Sequence, residues 1–550
     1  MRSAAVYDYI IVGAGTAGCL LANRLSADAS KRVLLLEAGG ADDWLWMHIP
    51  VGYLYCIGNR RTDWCYQTEP EPGLNGRSIG YARGKTLGGC SSINAMIYMR
   101  GQQRDYDEWA ALTGDDTWAW QNVLPVFKRS EAHFAGESAM HGATGEWRVE
   151  PQRLDWQVLN AWQAAAAQCG IAPTLDFNGG DNAGSARFEV NQRMGTRWNA
   201  AKAFLRPVSA RSNLTVLTHA LSTKIRVGTI DGQKRAVGVE YLRDGERHFA
   251  AVACLGGEVL LAGGAINSPQ LLQLSGIGNA DLLRRNGIAV VHALDGVGEN
   301  LQDHLQLRLA YKVRGIRTLN EWYHTWWGKL QMAAQFALLR RGPLTMAPSQ
   351  LGAFAKSDPS QTSANLQYHI QPLSLDKFGE PLHRFPAMTM SVCNLRPTSR
   401  GHVRIRNAEA TAVPAAPVIT LNYLSTDADR NTAIDAIRLT RRIAAAPALA
   451  AFHAEEFMPG PAYQTDAELS AAAGNIGTTI FHPVGTCKMG RADDAMAVVD
   501  SQLRVRGING LRVIDASVMP TITSGNTNSP TLMIAERGAA MIIASAGATP

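Results

Sequence analysis

The stretch YDYIIVGAGTAGCLLANRLS (7–26) constrains this chain more than any other. Ile10, Ile11 and Val12 are consecutive apolar residues, the pattern of a parallel strand covered on both faces. Gly13, Gly15 and Gly18 follow as GxGxxG, and Leu20, Leu21, Ala22 and Leu25 then recur at helical spacing. KRVLLLEAG (31–39) reads as a second strand ending at Glu37, 19 residues after Gly18. Strand, glycine turn, helix, strand and acid, in this order, make the dinucleotide-binding βαβ unit. Gly13 permits the tight turn, Gly15 lets the backbone approach a pyrophosphate, and Gly18 lets the helix pack on the strand. The helix start offers N–H donors to phosphates, and Glu37 can accept bonds from ribose hydroxyls. The unit alone does not separate NAD from FAD.

Three later segments repeat parts of this scheme. YARGKTLGGCSSINAMIYMRG (81–101) offers bare backbone at Gly84, Gly88 and Gly89, with hydroxyls at Ser91 and Ser92. EVLLAGGAINSPQLLQLSGIG (258–278) reads as strand, small-residue turn, then a helix starting near Ser268-Pro269, with the proline in its first turn. GLRVIDASVMPTITSGNTNSPTLMIAERGAAMII (510–543) reads as a strand from Leu511 to Ile514, then Asp515, a polar loop and a helix after Pro530. Dinucleotide-type elements thus stand at the start, middle and end of a 550-residue chain that is too long for one compact core. The arrangement predicts one discontinuous cofactor domain (1–155, 210–310 and 475–550) with a second domain (156–209 and 311–474) inserted between its pieces. In the insert, NLQYHIQPL and GHVRIRN show partial strand alternation. In EWYHTWWGKLQMAAQFALLRR (321–341), Trp322, Trp326, Leu330, Ala333 and Ala337 fall at helical spacing. That stripe predicts a helix packed on its own domain; the alternatives are a channel wall or a membrane-surface contact.

Several classes fall away. The 53 basic and 47 acidic residues give only +6, with no Lys/Arg run marking a nucleic-acid patch. Eight cysteines include no CxxC pair and no zinc spacing, so reduced thiols in a cytoplasmic protein are expected. MRSAAVYDYIIVGAG leads into glycines rather than a cleavage site, and no run of 18 uncharged apolar residues exists to span a bilayer.

TTIFHPVGTCKMG (478–490) places His482 five residues before Cys487. Cys487 lacks the neighbours a metal site needs and reads as a small buried hydrophobe. Pro483 biases His482 toward extended backbone. By itself the segment leaves His482 open between a structural residue and a base. His304 and His369 are candidate pocket histidines, with the structural reading preferred for both.

These segments together resemble the glucose–methanol–choline (GMC) flavin oxidoreductases over essentially the whole chain. The carriers are the N-terminal βαβ unit, GKTLGGCSSINAMIY (84–98), GAINSPQLLQLSGIG (264–278), GVGENLQDH (296–304), FHPVGTCKMG (481–490) and DASVMP…GNTNSPTLMIAER (515–537). The resemblance implies FAD, bound by an α/β fold: a discontinuous Rossmann-like domain with an inserted α+β substrate domain whose antiparallel sheet is flanked by helices. Ile93 stands where covalently flavinylated members carry histidine, so the FAD is expected to be non-covalent. Cys90 stands where the signature has Gly, Ser or Thr, a change also found in some choline-oxidising members. The implied cofactor contacts are Gly13, Gly15, Thr16, Ala17, Gly18, Glu37, Ala38, Arg83, Gly84, Leu87, Gly88, Ser91, Ser92, Asn94, Ala95, Met96, Ile97, Ser222, Gly263, Asp515, Ala516, Thr527, Asn528 and Pro530. His482 aligns with the family's catalytic base and Asn526 with its partner, which would hydrogen-bond the substrate oxygen. The expected reaction takes an alcohol to the aldehyde, the hydroxyl proton going to His482 and a hydride to flavin N5, with a quinone or other non-oxygen acceptor taking the electrons. An oxygen-using alcohol oxidase is the alternative; a lyase or decarboxylase on this fold fits less well. The expected partners are a small-molecule alcohol and a quinone-type acceptor, with no nucleic acid and no transmembrane segment, and a peripheral membrane contact left open.

Overall fold

A computed structural model describes residues 5–254, 256–376, 380–406 and 414–547. The first four residues of MRSAAVYDYIIVGAG and Asn407, at the end of GHVRIRN, lie outside them.

Five parallel strands form the first sheet, in the order Leu214–Leu217, Val33–Leu36, Tyr9–Val12, Glu258–Leu261 and Leu511–Val513. Tyr9–Val12 is central and wholly buried, as its unbroken apolar run requires. The helix Thr16–Leu25 follows the glycine turn, and the C-terminal helix Asn528–Gly547 packs against it. Thr16 Oγ1 donates to Asn528 Oδ1 at 2.7 Å, which brings two helix N-termini, 512 residues apart, to the same end of the sheet. A three-stranded meander, Leu221–Ile230, Gln233–Arg243 and Glu246–Val252, lies outside the parallel sheet and was not singled out by the sequence.

The helix expected near Ser268-Pro269 starts a turn earlier, at Gly264, and runs to Leu274 with Pro269 inside it. Pro269 lacks the N–H that would bond the carbonyl of Ala265. Thr486 Oγ1, from the FHPVGTCKMG segment, donates to that carbonyl at 2.6 Å and removes the objection.

The second sheet is antiparallel. Its order is Glu455–Met458, Leu305–Lys312, Ala387–Asn394, Leu366–Gln371, Leu351–Ala355 and Gly184–Arg187, with Gly477–Thr479 also pairing to Leu305–Lys312. Its residues alternate strictly. Leu366, Tyr368 and Ile370 join Leu305, Leu307, Met388 and Met390 in one apolar cluster with Ile434 and Ile437 of the helix Asp427–Ala444. Gln306, Gln367, His369 and Gln371 project from the opposite face, as period-two geometry demands.

The 321–341 expectation needs correcting. Thr325 has extended backbone and splits the segment into Leu319–His324 and Trp326–Leu339, its hydroxyl capping the second helix by accepting from Gly328 N at 3.1 Å. The face that packs inward is Gly328, Met332 and Phe336. Of the predicted stripe, Trp322 is half-buried and Trp326, Leu330, Ala333 and Ala337 are exposed. Every face of this segment carries apolar residues, so spacing alone could not choose the packed one.

Candidate active site

The glycine loop has the geometry its spacing implies. Gly13 has φ +99°, and a Cβ there would lie 2.6 Å from the Ala262 carbonyl oxygen. A Cβ on Gly18 would lie 1.8 Å from the Gly13 oxygen, so this glycine sets how closely helix and strand approach. Gly15 is different: a Cβ would meet no atom within 4 Å. It borders open space, a cavity of about 610 Å³. Of the implied cofactor contacts, Gly13, Gly15, Thr16, Ala17, Glu37, Ala38, Arg83, Gly84, Asn94, Ala95, Met96, Ile97, Ser222, Gly263, Asp515, Ala516, Thr527 and Asn528 line that cavity, as do His482 and Asn526.

The remaining six stand behind the lining. Gly18 packs on Gly13. Ser91 Oγ donates to Gly88 O at 2.6 Å and accepts from Ala200 N; Ser92 Oγ donates to Leu87 O at 2.8 Å. These hydroxyls hold the loop's shape. Pro530 is the third residue of its helix, where no helical N–H is lost.

The donor set suits a dinucleotide flavin. The N-terminus of Thr16–Leu25 opens on the cavity beside Gly15, ready for phosphate. Asn528 Nδ2 and Ser222 Oγ are buried on the wall without a partner in the protein. Glu37 accepts from Ala14 N at 2.9 Å and Gly39 N at 2.8 Å, and burial raises its carboxyl to about 7. Asp515 is more fully engaged: it accepts from Gly264 N, Ser268 Oγ, Ser517 N and Ser517 Oγ, and so caps the helix Gly264–Leu274.

The catalytic candidates meet in one directed hydrogen-bond chain. His304 Nε2 lies 3.2 Å from the Leu395 carbonyl oxygen, so that nitrogen carries the proton. Burial lowers the pKa of His304 to about 4, leaving it neutral with a lone pair on Nδ1. His304 Nδ1 lies 3.0 Å from His482 Nδ1, which must therefore be the donor. The lone pair of His482 is then on Nε2, facing Asn526 Nδ2 at 3.0 Å. Gln367 Nε2 donates to Asn526 Oδ1 at 3.2 Å and orients the amide. From Gln367 to Leu395 the chain runs in one sense and delivers a basic nitrogen and an amide donor side by side on the cavity wall.

A buried carboxylate holds this arrangement. Asp303 Oδ1 accepts from the backbone N of both His482 (2.8 Å) and His304 (2.9 Å). Its Oδ2 accepts from Thr479 Oγ1, Tyr423 OH and Tyr81 OH at 2.6, 2.5 and 3.0 Å. Phe481, just before His482, has φ +67°, a conformation that costs a non-glycine residue about 1–3 kcal/mol and is sustained by the surroundings. Arg83 Nη2 donates to the Phe481 carbonyl at 2.7 Å. Burial, and then the neighbouring His304, His369 and Arg83, hold His482 well below the usual histidine range, so it is unprotonated at neutral pH.

Cys487 is fully buried in the main core, and burial pushes its thiol up, consistent with a packing residue. The sequence reading missed Gln367, Asp303 and the contact of His304 with His482. Of the two readings it held for His369, the pocket one fits: His369 lines the cavity with Nε2 unpartnered. Only the alternation of NLQYHIQPL carried a signal, since it sets Gln367 and His369 on one face.

GMC oxidoreductase family models match residues 7–306 and 397–535. The alcohol dehydrogenase [acceptor] of Pseudomonas putida is 41% identical over 98% of this chain and 96% of its own length. The oxygen-dependent choline dehydrogenase of Stenotrophomonas maltophilia (strain R551-3) is 41% identical over 98% of this chain and 94% of its own. Among solved structures, a pyridoxine 4-oxidase from Mesorbium loti superposes with a TM-score of 0.86 at 31% identity, covering 97% of this chain and 98% of that one. With the glycine loop, the signature segments and the His482–Asn526 pair all in place, the chain belongs to the GMC oxidoreductase family.

Proposed function

We propose that this enzyme oxidises an alcohol to the aldehyde, with FAD held non-covalently and a quinone or other non-oxygen acceptor taking the electrons. GMC oxidoreductases are FAD flavoproteins, and the flavin, when bound, supplies the hydride-accepting centre. The observation that carries the reading is the pair His482 Nε2 and Asn526 Nδ2, 3.0 Å apart on the cavity wall. A substrate hydroxyl placed between them would donate its proton to Nε2 while its oxygen accepts from Nδ2. His482 then acts as general base and Asn526 steadies the developing alkoxide. The depressed pKa keeps His482 unprotonated at neutral pH, and a substrate hydroxyl would take over the Nε2 lone pair that Asn526 Nδ2 otherwise faces.

Ile93 is buried on the cavity wall and offers no nitrogen for a flavin bond, which supports non-covalent binding. Among the described residues, the carboxylates lining the cavity are Glu37 and Asp515, both engaged by backbone N–H groups. Near His482 the wall instead carries Gln306, His369 and Gln371. The name of the Pseudomonas putida relative supports a non-oxygen acceptor, and that of the Stenotrophomonas maltophilia relative leaves the oxidase as the second reading. The cysteine usage supports a cytoplasmic location. The division into cofactor parts (1–155, 210–310, 475–550) and substrate parts (156–209, 311–474) is supported by the two sheets, although Leu305–Lys312 runs across the 310/311 boundary and Gly477–Thr479 joins the second sheet.

The test is His482→Ala with anaerobic mixing against a panel of alcohols. Flavin reduction should slow by roughly 10²–10⁴ with FAD still bound. An unchanged rate removes His482 from the base role, and peroxide formed in step with aldehyde would replace the dehydrogenase by the oxidase.

A further inference from the structure

The helix Trp326–Leu339 leaves most of its surface uncovered. Its buried side is Gly328, Met332 and Phe336, and Phe336 packs with Ile49 and Val51. On the other sides Trp326 and Trp327 stack at 3.7 Å, each 64% exposed, with Leu330 at 52%, Leu338 at 81% and Leu339 at 64%. Ala333, Ala334 and Ala337 are exposed between them. A surface helix of a water-soluble protein presents polar residues there. This one carries no acidic residue, and its cations stand at the margins: Lys329 near the start, Arg340 and Arg341 just past the end. Lys329 and Arg340 rest on the Tyr323 and Phe336 rings at 5.2 and 4.9 Å.

At 14 residues the helix is too short to cross a bilayer, which needs about 20. A paired indole at one end, aliphatic side chains along the middle and a cationic margin are the composition of a helix lying in a membrane interface. We propose that this face docks on an anionic lipid surface, with the helix flat in the interface, its Trp and Leu side chains among the acyl chains and its Lys and Arg heads on lipid phosphates. Charge decides between a membrane and a second copy of the chain. A two-fold contact sets a patch against itself, and here it would gather the cations of both copies with no carboxylate on the helix to meet them. Lipid phosphates supply the missing anions. The segment under the face also reaches the cavity: Ile49 and Val51 cover Phe336, and Tyr53 and Ile57 line the cavity wall. The docked side of the molecule is therefore the side of that wall.

The test is flotation of the full-length, FAD-loaded enzyme with phosphatidylcholine vesicles, with and without about one third phosphatidylglycerol. The enzyme should float with the anionic vesicles and less so as salt rises. The triple variant W326S/W327S/L330Q should bind about tenfold less or weaker still, with FAD content and flavin reduction by a dissolved alcohol unchanged. The separate variant L338Q/L339Q should also bind less, which guards against a local folding defect in the first. Absence of flotation with either vesicle, or flotation of both variants at the parental level, would overturn the proposal. So would a lipid-free dimer that the variants turn into monomers, since the face would then belong to a second copy.

Discussion

His304 sets which nitrogen of His482 carries the proton, and replacing it tests the hydrogen-bond chain directly. In His304→Phe an aromatic ring is kept, but the His482 Nδ1–H loses its acceptor at 3.0 Å. A buried donor left unpaired costs about 1–3 kcal/mol. His482 can avoid that cost by moving its proton to Nε2, toward Asn526. The move requires Asn526 and Gln367 to turn their amides over, and Gln367 Oε1 has no partner to lose. The competent tautomer should therefore fall in population by the stranded-donor cost, about 5- to 150-fold at 1.4 kcal/mol per decade. The assay is anaerobic stopped-flow reduction of the flavin by alcohol, with FAD content measured alongside. His304→Asn restores an acceptor opposite Nδ1 and should recover most of the rate. A His304→Phe enzyme that reduces at the parental rate, or an Asn variant as slow as the Phe variant, would refute the chain.

Two further predictions concern stability and the glycine loop. Burial holds His304 near 4 and His369 near 3, against 6.5 when unfolded, so below 6.5 the unfolded chain binds more protons than the folded one. Their contribution is intact above 6.5 and falls as pH drops, by about 1.4 kcal/mol per pH unit for each histidine until its folded pKa is reached. The urea midpoint should be clearly lower at pH 5 than at pH 7; equal midpoints would show the histidines to be solvated. Gly18→Ala drives a Cβ to 1.8 Å from the Gly13 oxygen and should abolish soluble, FAD-loaded protein. Gly15→Ala meets no protein atom within 4 Å and should fold while losing FAD on gel filtration; equal behaviour of the two variants would remove the distinction between packing and ligand clearance.

The parts of the fold legible in the sequence are those set by local sterics. Gly13 and Gly18 could be assigned roles because a Cβ at either position collides with backbone, whatever the rest of the chain does. The alternation around His369 was equally local, and it fixed the face though not what the face meets. The start of the helix at Gly264 was hidden, because the group that excuses Pro269, the Thr486 hydroxyl, comes from 221 residues away. His304 was hidden for the same reason: its neighbour His482 is 178 residues distant, and the pairing of Leu305–Lys312 with Gly477–Thr479 and the Asp303 carboxylate bring them together. His482 and Asn526 were reached through family resemblance, since their own segments left several readings open.

The alternating antiparallel sheet has an evolutionary consequence. Leu366, Tyr368 and Ile370 answer to the core, while His369 and Gln371, interleaved with them, line the cavity and Gln367 orients Asn526. Selection can therefore act on the two sets almost independently along a single strand. Trading Gln371 or His369 for another side chain reshapes what the chamber admits without opening a void beneath it. A family built on this wall can diversify its substrates one alternate residue at a time while its scaffold stays still, and a directed search for new specificity in this enzyme has its natural library at those positions.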